Sequence, residues 1–191
     1  IPLEHSAKAF TLQPVLIEYV TEQLINQAVD EIKTGNISLV NRHALIKATA
    51  KDEVRNTQIR LILNAVWKQL IDEMGCPTVE NNLKELLSTW QDKSPLRPGY
   101  LGGNILNLLC QHQPVVTEYD FSQLAIWQAY LQNVKLRQLN FAGAEFEKCI
   151  FNQTFGNTLC LAFSPDGTLL ATGHVKTQIR LWRVAANQHI Q

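Results

Sequence analysis

The side chains that could do chemistry are few and scattered. The five histidines, His5, His43, His112, His174 and His189, share no metal-ligand spacing. Cys110 and His112 could supply two zinc ligands, but no second pair completes a tetrahedral site, so we expect a partly buried thiol beside an exposed imidazole. Glu145 and Glu147 flank Phe146, and we interpret them as solvated carboxylates rather than as an acid–base couple.

The sequence predicts no phosphate loop and no activated nucleophile. It contains neither a glycine-rich Walker loop nor a Gly-x-Ser-x-Gly elbow. Gly102-Gly103-Asn104, at a predicted helix start, could hold an anion through free backbone N–H groups, although a capping or tight-turn role fits these residues better. We therefore predict a non-enzyme that holds no cofactor and no metal. An enzyme with an unfamiliar site is an alternative, which a polar pocket with perturbed pKa values would favour.

The charge balance argues against nucleic acid and membrane as partners. Seventeen basic residues stand against seventeen acidic ones, and no apolar run approaches the roughly 20 residues of a membrane helix. Lys135, Arg137 and Lys148 have no aromatic platforms arranged beside them, as single-stranded nucleic acid would require. Arg55 and Arg60 are expected on the outside of a long helix.

The cysteines and the lack of a leader segment predict a cytoplasmic location. The four cysteines, Cys76, Cys110, Cys149 and Cys160, are widely spaced and form no Cys-x-x-Cys pair. This spacing favours reduced, mostly buried thiols over a zinc site or a disulfide framework. No basic-then-apolar leader is present, and a hydrophobic content of 46% is enough for a buried core.

Residues 14–114 have the pattern of helices, which would position Cys76, Cys110 and His112 among other candidate side chains. Pro14 stands where a helix places its first residue, and Gly35 ends that helix. Ser38 is a candidate N-cap, and Thr78 is another after a longer helix that closes at Gly75. The first apolar stripe comprises Ile17, Val20, Leu24, Ala28 and Ile32. Such stripes bury against one another, which predicts a small helical bundle.

A strict five-residue repeat follows Pro114. From Tyr119 it reads YDFSQ, LAIWQ, AYLQN, VKLRQ, LNFAG, AEFEK, CIFNQ. The third position is always large and apolar: Phe121, Ile126, Leu131, Leu136, Phe141, Phe146 and Phe151. The repeat resembles the pentapeptide-repeat family, and the resemblance implies a right-handed β-helix with these side chains inside. An amphipathic helix over Ser122–Gln132 is the alternative, because Leu124, Trp127 and Leu131 would share a face.

The last segment has the pattern of an antiparallel hairpin followed by a third strand. Ser164-Pro165-Asp166-Gly167 fits a type I turn between two apolar strands. The run AFSPDGTLLATG followed by IRLW resembles a WD repeat. The matching positions are Phe163, Ser164, Pro165, Asp166, Gly167, Gly173 and Trp182.

Two positions depart from the WD pattern. Lys176-Thr177 stands where the family usually has an Asp-Gly turn, and Gly156-Asn157 replaces the usual Gly-His pair. The resemblance implies a buried hydrogen-bond network of Asp, His, Ser or Thr, and Trp side chains. This chain has Trp182 and Thr172 for that network but lacks the Asp.

The order of these segments resembles the middle of bacterial STAND-type signalling ATPases, in which an NB-ARC module precedes WD repeats. The phrase FTLQPVLIEYVTEQL resembles the end of the winged-helix part of that family. The phrases HALIKATAKDEVRNTQ and PGYLGGNILNLL resemble its connecting helical segment. The resemblance implies an ATP-driven switch upstream and a sensor propeller downstream.

We therefore expect an α+β chain: a helical bundle, a short pentapeptide-type β-helix and one WD-type antiparallel blade. The expected boundaries are 1–13 for the end of a winged-helix-like segment, 14–114, 115–155 and 156–191. The predicted function is a non-catalytic connector whose partners are proteins or adjoining domains. A stand-alone interaction module or truncated remnant is the alternative. The blade could otherwise cap the end of the coil, because solenoid ends need covering.

The five-residue period predicts which substitutions the repeat region tolerates. Phe141→Asp should lower the free energy of unfolding by several kcal/mol, because an inward aromatic ring becomes a buried unpaired charge. Asn140→Ala, at a position expected to point outward, should change it little. Chemical denaturation followed by circular dichroism measures both, and equal tolerance at the two positions would contradict the repeat.

Overall fold

The chain divides into two compact units, Ile1–Asn152 and Gln153–Gln191. The computed structural model describes residues 4–6, 9–11, 14–93, 96–113, 115–132, 134–151, 158–174, 179–183 and 188–189. Each unit is considered by itself below.

The first unit begins with a hairpin and a helical bundle. Strands β1 (Glu4–Ser6) and β2 (Ala9–Thr11) pair in antiparallel fashion. The helices are α1 (Pro14–Thr34), α2 (Leu39–Arg42), α3 (Asp52–Gln58), α4 (Asn64–Met74), α5 (Cys76–Lys93) and α6 (Leu101–His112). A π-helical turn over Ile59–Leu63 joins α3 to α4.

The predicted helix ends are confirmed in part. Pro14 begins α1, and Gly35 and Gly75 both follow helices with a φ of 76°. Ser38 occupies the predicted N-cap position of α2, whereas Thr78 is not the N-cap of α5. The side chain of Ser38 makes no capping hydrogen bond to α2, and α5 already begins at Cys76, so Thr78 lies inside its first turn.

Residues 115–151 form a parallel coil. Its strands are β3 (Val115–Thr117), β4 (Ala125–Trp127), β5 (Tyr130–Leu131), β6 (Lys135–Arg137), β7 (Glu145–Glu147) and β8 (Ile150–Phe151). The pairs β3–β6, β4–β7 and β5–β8 are parallel, and each residue lies opposite the residue twenty positions later, as Val115 lies opposite Lys135. Four five-residue units therefore complete one turn of the coil. The alternative helix over Ser122–Gln132 is wrong, because β4 and β5 occupy that stretch.

Every described fifth position of the repeat has a left-handed backbone. The φ angles there lie between 53° and 67°, at Glu118, Gln123, Gln128, Gln138, Gly143 and Lys148. Residues with a Cβ atom are destabilised by roughly 1–2 kcal/mol in this conformation, so of these six only Gly143 adopts it without strain. These residues are the corners at which the coil changes direction.

The third positions of the repeat change their burial along the coil. Phe121, Ile126 and Leu131, in the first turn, are buried. Leu136 and Phe141 are half-buried, whereas Phe146 and Phe151 are about 40% exposed. The ring of Phe141 stacks on that of Phe121 with centroids 5.5 Å apart and continues to Phe146 at 5.4 Å. The apolar column is therefore continuous but uncovered by described residues at its second turn.

One hydrophobic core joins the bundle to the coil. Its members include Ile32 of α1, Leu70 of α4 and Ile105 of α6. Phe121 and Ile126 of the coil belong to the same core. The expected boundary between residues 114 and 115 therefore lies within a single core.

The second unit is a four-stranded antiparallel sheet. Its strands are β9 (Thr158–Phe163), β10 (Leu169–His174), β11 (Ile179–Arg183) and β12 (Gln188–His189). They lie in the order β12-β11-β10-β9, so each strand pairs with its neighbour along the chain and β9 is at an edge.

The turn between β9 and β10 forms at the predicted residues. Gly167 N donates to Ser164 O over 2.9 Å, and Leu169 N donates to Ser164 Oγ over 2.9 Å. The Asp166 carboxylate accepts bonds from the Ser164 hydroxyl and from the backbone and hydroxyl of Thr168, which lower its pKa to about 2. The turn is thus fixed by local side-chain hydrogen bonds.

The positive φ at the corners predicts that glycine and valine have opposite orders of stability at a corner and at a strand residue. At the exposed corner Gln138, glycine should be more stable than valine by about 2 kcal/mol, because a β-branched residue is strained at positive φ. At the neighbouring strand residue Arg137, valine should instead be more stable than glycine by about 1 kcal/mol. Urea denaturation of the four variants measures both differences. The same order at both positions would contradict the corner assignment.

The outward control Asn140 has more contacts than its sequence position indicates. Its side chain is exposed, yet Nδ2 donates to Asp120 Oδ2 over 3.2 Å and Oδ1 accepts from Ala142 N over 3.0 Å. Asn140→Ala should therefore cost something, though far less than Phe141→Asp, because exposed hydrogen bonds are replaced by water.

Candidate functional site

The buried polar side chains of the first unit gather around the connection between α1 and α3. Glu31, Asn41, Arg55, Asn104, Asn107 and Gln128 are each at most 8% exposed. Asn41 lies within residues 38–50, here called the hub segment, in which α2 is the one described helix. The side chains of Glu31, Arg55, Asn104 and Gln128 bond to its backbone, and that of Asn107 bonds to the coil. No pattern in the sequence predicts this arrangement of buried polar groups.

Glu31 of α1 holds the start of the hub segment. Its carboxylate accepts hydrogen bonds from Ser38 N over 2.9 Å, Leu39 N over 2.8 Å and Val40 N over 2.9 Å. Burial raises the pKa of this carboxyl, but the three N–H donors outweigh it and leave the pKa below its ordinary value. Glu31 therefore caps α2 in place of Ser38, although it lies in a different helix.

Asn104 of α6 holds the middle of the hub segment. Nδ2 donates to Val40 O over 2.7 Å and to His43 O over 2.8 Å, while Oδ1 accepts from Leu45 N over 2.8 Å. Asn104 N itself donates to Tyr100 O over 2.7 Å and is not free for an anion. The side chain thus uses its donor and acceptor groups on backbone alone.

Gly102 and Gly103 are neither caps nor an anion site. They lie inside the first turn of α6, where a Cβ atom would come within 2.7 Å of Ala125 O at Gly102 and within 1.8 Å of Trp127 O at Gly103. Neither predicted role fits, because Tyr100 is the N-cap of α6 and both glycines are buried. Without side chains they let the helix touch strand β4 of the coil.

Asn107, one turn further along α6, holds the coil. Nδ2 donates to Gln128 O over 2.9 Å, and Oδ1 accepts from Tyr130 N over 2.7 Å. Gln128 N donates in turn to Glu147 O over 2.9 Å in the next turn of the coil. The corner between β4 and β5 is therefore fixed to the bundle.

Arg55 is buried, so its predicted place on the outer surface is wrong. Nη1 donates to Ala48 O over 3.1 Å and Ala50 O over 2.9 Å, and the guanidinium lies 4.1 Å from the ring centroid of Tyr130. Arg60 is exposed, as expected. Arg55 thus ties the end of the hub segment to the coil through hydrogen bonds and a cation–π contact.

The residues suspected of chemistry do not come together. Burial raises the pKa of the half-buried Cys110 thiol to about 12, and Cys149 is also half-buried. Cys76 and Cys160 are exposed, so the expectation of mostly buried thiols is wrong for these two. Glu145 and Glu147 are exposed, as predicted. Within the described residues, no three potential ligands among histidine, cysteine, aspartate and glutamate cluster as a metal site would need.

His112 is half-buried rather than exposed. Its ring stacks on Trp67 with centroids 4.8 Å apart and planes within 1° of parallel. Its Nε2 is buried and has no hydrogen-bond partner in the described part of the chain, and burial lowers the pKa of the imidazole. The side chain acts as an aromatic packing element at the end of α6.

An open groove of 390 Å³ lies between the end of α1 and the side of α5. Gly35 and Asn36 line it from one side, and Asn82, Glu85 and Thr89 from the other. Its polar side chains belong to the surfaces of α1 and α5 and, at Asn36, to the residues that follow α1.

The WD-like positions of the second unit lie in and around one hairpin. Phe163 is 60% exposed at the end of β9, whereas Thr172 is buried in β10. At Gly173, a Cβ atom would lie 2.7 Å from the sulfur of Cys160. Trp182 lies opposite Leu170 in the β10–β11 pair. Lys176-Thr177 and Gly156-Asn157, the two departures from the WD pattern, lie outside the described residues.

Two curated proteins of Nostoc sp. (strain PCC 7120) align with most of this chain. An uncharacterized WD repeat-containing protein is 40% identical over 220 residues, which cover 97% of this chain and 18% of the relative. A second uncharacterized WD repeat-containing protein is 28% identical over 177 residues, which cover 91% of this chain and 11% of that relative. The chain is similar to segments of WD repeat-containing proteins. It spans less than a fifth of the length of either relative.

No family model matches the chain, and no solved structure matches it either. None of the helices in the described ranges is both long and apolar enough to span a bilayer.

The burial of His112 predicts a pH dependence of stability. Because its pKa is lowered on folding, the unfolded chain binds the proton more tightly, and stability is lost as the pH falls from about 6.5 through the folded pKa. His112→Gln should remove this contribution. Urea denaturation between pH 5 and pH 8 should show a smaller fall for the variant than for the unmodified chain, and parallel curves would contradict the assignment.

Proposed function

We propose that this chain is a non-catalytic connector within a longer WD-repeat signalling protein. It would join an upstream nucleotide switch of the NB-ARC type to a downstream sensor of stacked WD-type sheets. Residues 115–151 would be a right-handed pentapeptide-type β-helix, and the second unit would be the first WD-type blade. The location would be cytoplasmic, and the partners would be adjoining domains or other proteins.

The observation that carries the proposal is the apolar surface on both faces of the terminal sheet. On one face, Leu161 and Phe163 are 64% and 60% exposed. On the other face, Leu181 is 39% exposed opposite Ala171 of β10. A sheet with one solvated face alternates apolar and polar side chains, whereas a sheet between two neighbours is apolar on both faces. Stacked sheets of a propeller provide such neighbours on both sides.

The exposed half of α1 supports a second adjoining domain. The stripe that buries Ala28 and Ile32 continues towards the start of the helix, where Ile17 and Val20 are 46% and 49% exposed. Isolated apolar residues are common on surfaces, but a continued helical stripe is typical of a face that another element covers. The preceding β1–β2 hairpin, with three-residue strands, also needs a larger body to be stable.

The hydrogen bonds of the buried polar side chains support a non-catalytic function. Glu31, Asn104 and Asn107 direct their donor and acceptor groups at the backbone of other segments. Side chains used in this way specify structure rather than bind a substrate.

A stand-alone interaction module is the second candidate, and the edge strand β9 favours it. Among the described strands, β9 pairs with β10 on one side and with none on the other. Two of its own side chains, Leu161 and Phe163, are exposed. A partner strand could add there and complete the sheet.

The flanking sequence of the native gene distinguishes the two candidates first. The connector predicts a glycine-rich Walker loop upstream of Ile1 and further WD repeats downstream of Gln191. A start codon just before Ile1 together with a stop codon just after Gln191 would contradict it and favour the interaction module.

The decisive experiment is done on the intact protein. Nucleotide binding at the upstream module should change hydrogen exchange in β9–β11, and a sensor ligand should change nucleotide affinity by the same factor, because binding linkage is reciprocal. A Walker-loop variant that does not bind nucleotide is the matched control. If nucleotide and sensor ligand leave each other's affinity unchanged, the connector function is wrong.

A further inference from the structure

The hub segment is held by side chains of the elements around it. Backbone groups of residues 38–40 bond to α1, those of residues 40–45 to α6, and those of residues 47–50 to α3 and the coil. Apart from the four-residue helix α2, it has no described regular structure that would fix it independently. Its conformation therefore depends on where its neighbours stand.

Val40 is the residue that α1 and α6 share. Its N–H donates to Glu31 and its carbonyl accepts from Asn104, with donor–acceptor distances of 2.9 Å and 2.7 Å. Both partners are at most 5% exposed, so water cannot readily replace either bond. A shift of Glu31 must therefore move Val40, break a buried hydrogen bond, or carry Asn104 with it.

Helix α6 links this contact to the coil. Asn104 and Asn107 are three residues apart and thus lie on one side of the helix. All nine residues from Leu101 to Leu109 are buried, so α6 is packed on every side and moves as a rigid element. Asn107 then engages Gln128 O and Tyr130 N of the coil.

We infer that Glu31 and Asn107 are energetically coupled through Val40 and Asn104, so that a displacement of α1 is passed to the coil. The two side chains share no partner, and every step between them is a buried hydrogen bond or a rigid helix turn. Glu31 and Asn107 are positioning residues in this relay. Such coupling would link α1 to the coil within the proposed connector, and to that extent the inference rests on the proposed function. Its test uses this chain alone.

The test is amide hydrogen exchange on the 191-residue chain, with Glu31→Gln and Asn107→Ala as single variants. Glu31→Gln removes the carboxylate that three N–H groups share and puts an amide donor among them. It should raise exchange at Val40 and Leu45, and also at Tyr130 in the coil, at least about tenfold relative to Leu70 inside α4. The matched control is Glu73→Gln, which removes an exposed carboxylate paired with Lys33 and should raise none of these rates selectively.

The reciprocal variant provides an independent reading if Glu31→Gln does not fold. Asn107→Ala should raise exchange at Val40 and Leu39, next to Glu31, because coupling acts equally in both directions. Exchange that rises only beside each substitution, or by one factor throughout the unit, would overturn the inference.

A double-mutant cycle gives the size of the coupling. Independent sites change the unfolding equilibrium constant by factors that multiply to within about twofold, so coupled sites should deviate by at least about fivefold. If the product of the two single-variant factors equals the factor measured for the double variant, the inference is overturned. That outcome would leave the proposed function standing, because communication in the intact protein is measured separately.

Discussion

The close approach of α6 to strand β4 is the constraint on which the rest of the first unit depends. A methyl group at Gly103 would stand 1.8 Å from Trp127 O, so the contact exists only because that side chain is absent. The approach brings Asn107 within hydrogen-bonding distance of Gln128 O and Tyr130 N. It also lets one core run from the bundle into the coil. With a larger residue at this position, bundle and coil would have to separate, and the buried asparagines would lose the partners that repay their desolvation.

Buried polar groups, rather than apolar packing alone, determine how the segments fit together. Apolar side chains of similar volume can exchange places at small cost, so a hydrophobic core tolerates several arrangements. Asn104 tolerates few, because its three hydrogen bonds require Val40 O, His43 O and Leu45 N at fixed positions. A slipped arrangement would leave these groups unpaired at a cost of about 1–3 kcal/mol each. The polar contacts therefore select one arrangement from those that the core alone permits.

The local features of this fold could be predicted from the sequence, whereas its long-range contacts could not. The five-residue period indicated that Phe121 and Ile126 point inward, because a repeat in the chain imposes a repeat in space. The left-handed corners were not predictable, since Gln123 and Gln138 belong to a residue type that rarely adopts positive φ. Likewise, Arg55 is a charged residue at a position that the sequence pattern places on the helix surface. Only the fold brings the ring of Tyr130 into contact with its guanidinium group.

The same distinction explains why the candidate site was missed. Glu31 caps a helix seven to nine residues further on, and Asn104 pairs with carbonyls about sixty residues earlier, so no short motif contains either contact. The zinc pair considered and rejected at Cys110 and His112 rested on nearness in sequence alone, and residues two apart in a helix lie on different sides. The polar groups of this chain are therefore organised by tertiary structure around the hub segment. Exposed large apolar side chains lie on α1, on α3 and the π-helical turn, on the second turn of the coil, and on the terminal sheet. Exposed apolar side chains of this kind are the feature on which the proposed connector function depends.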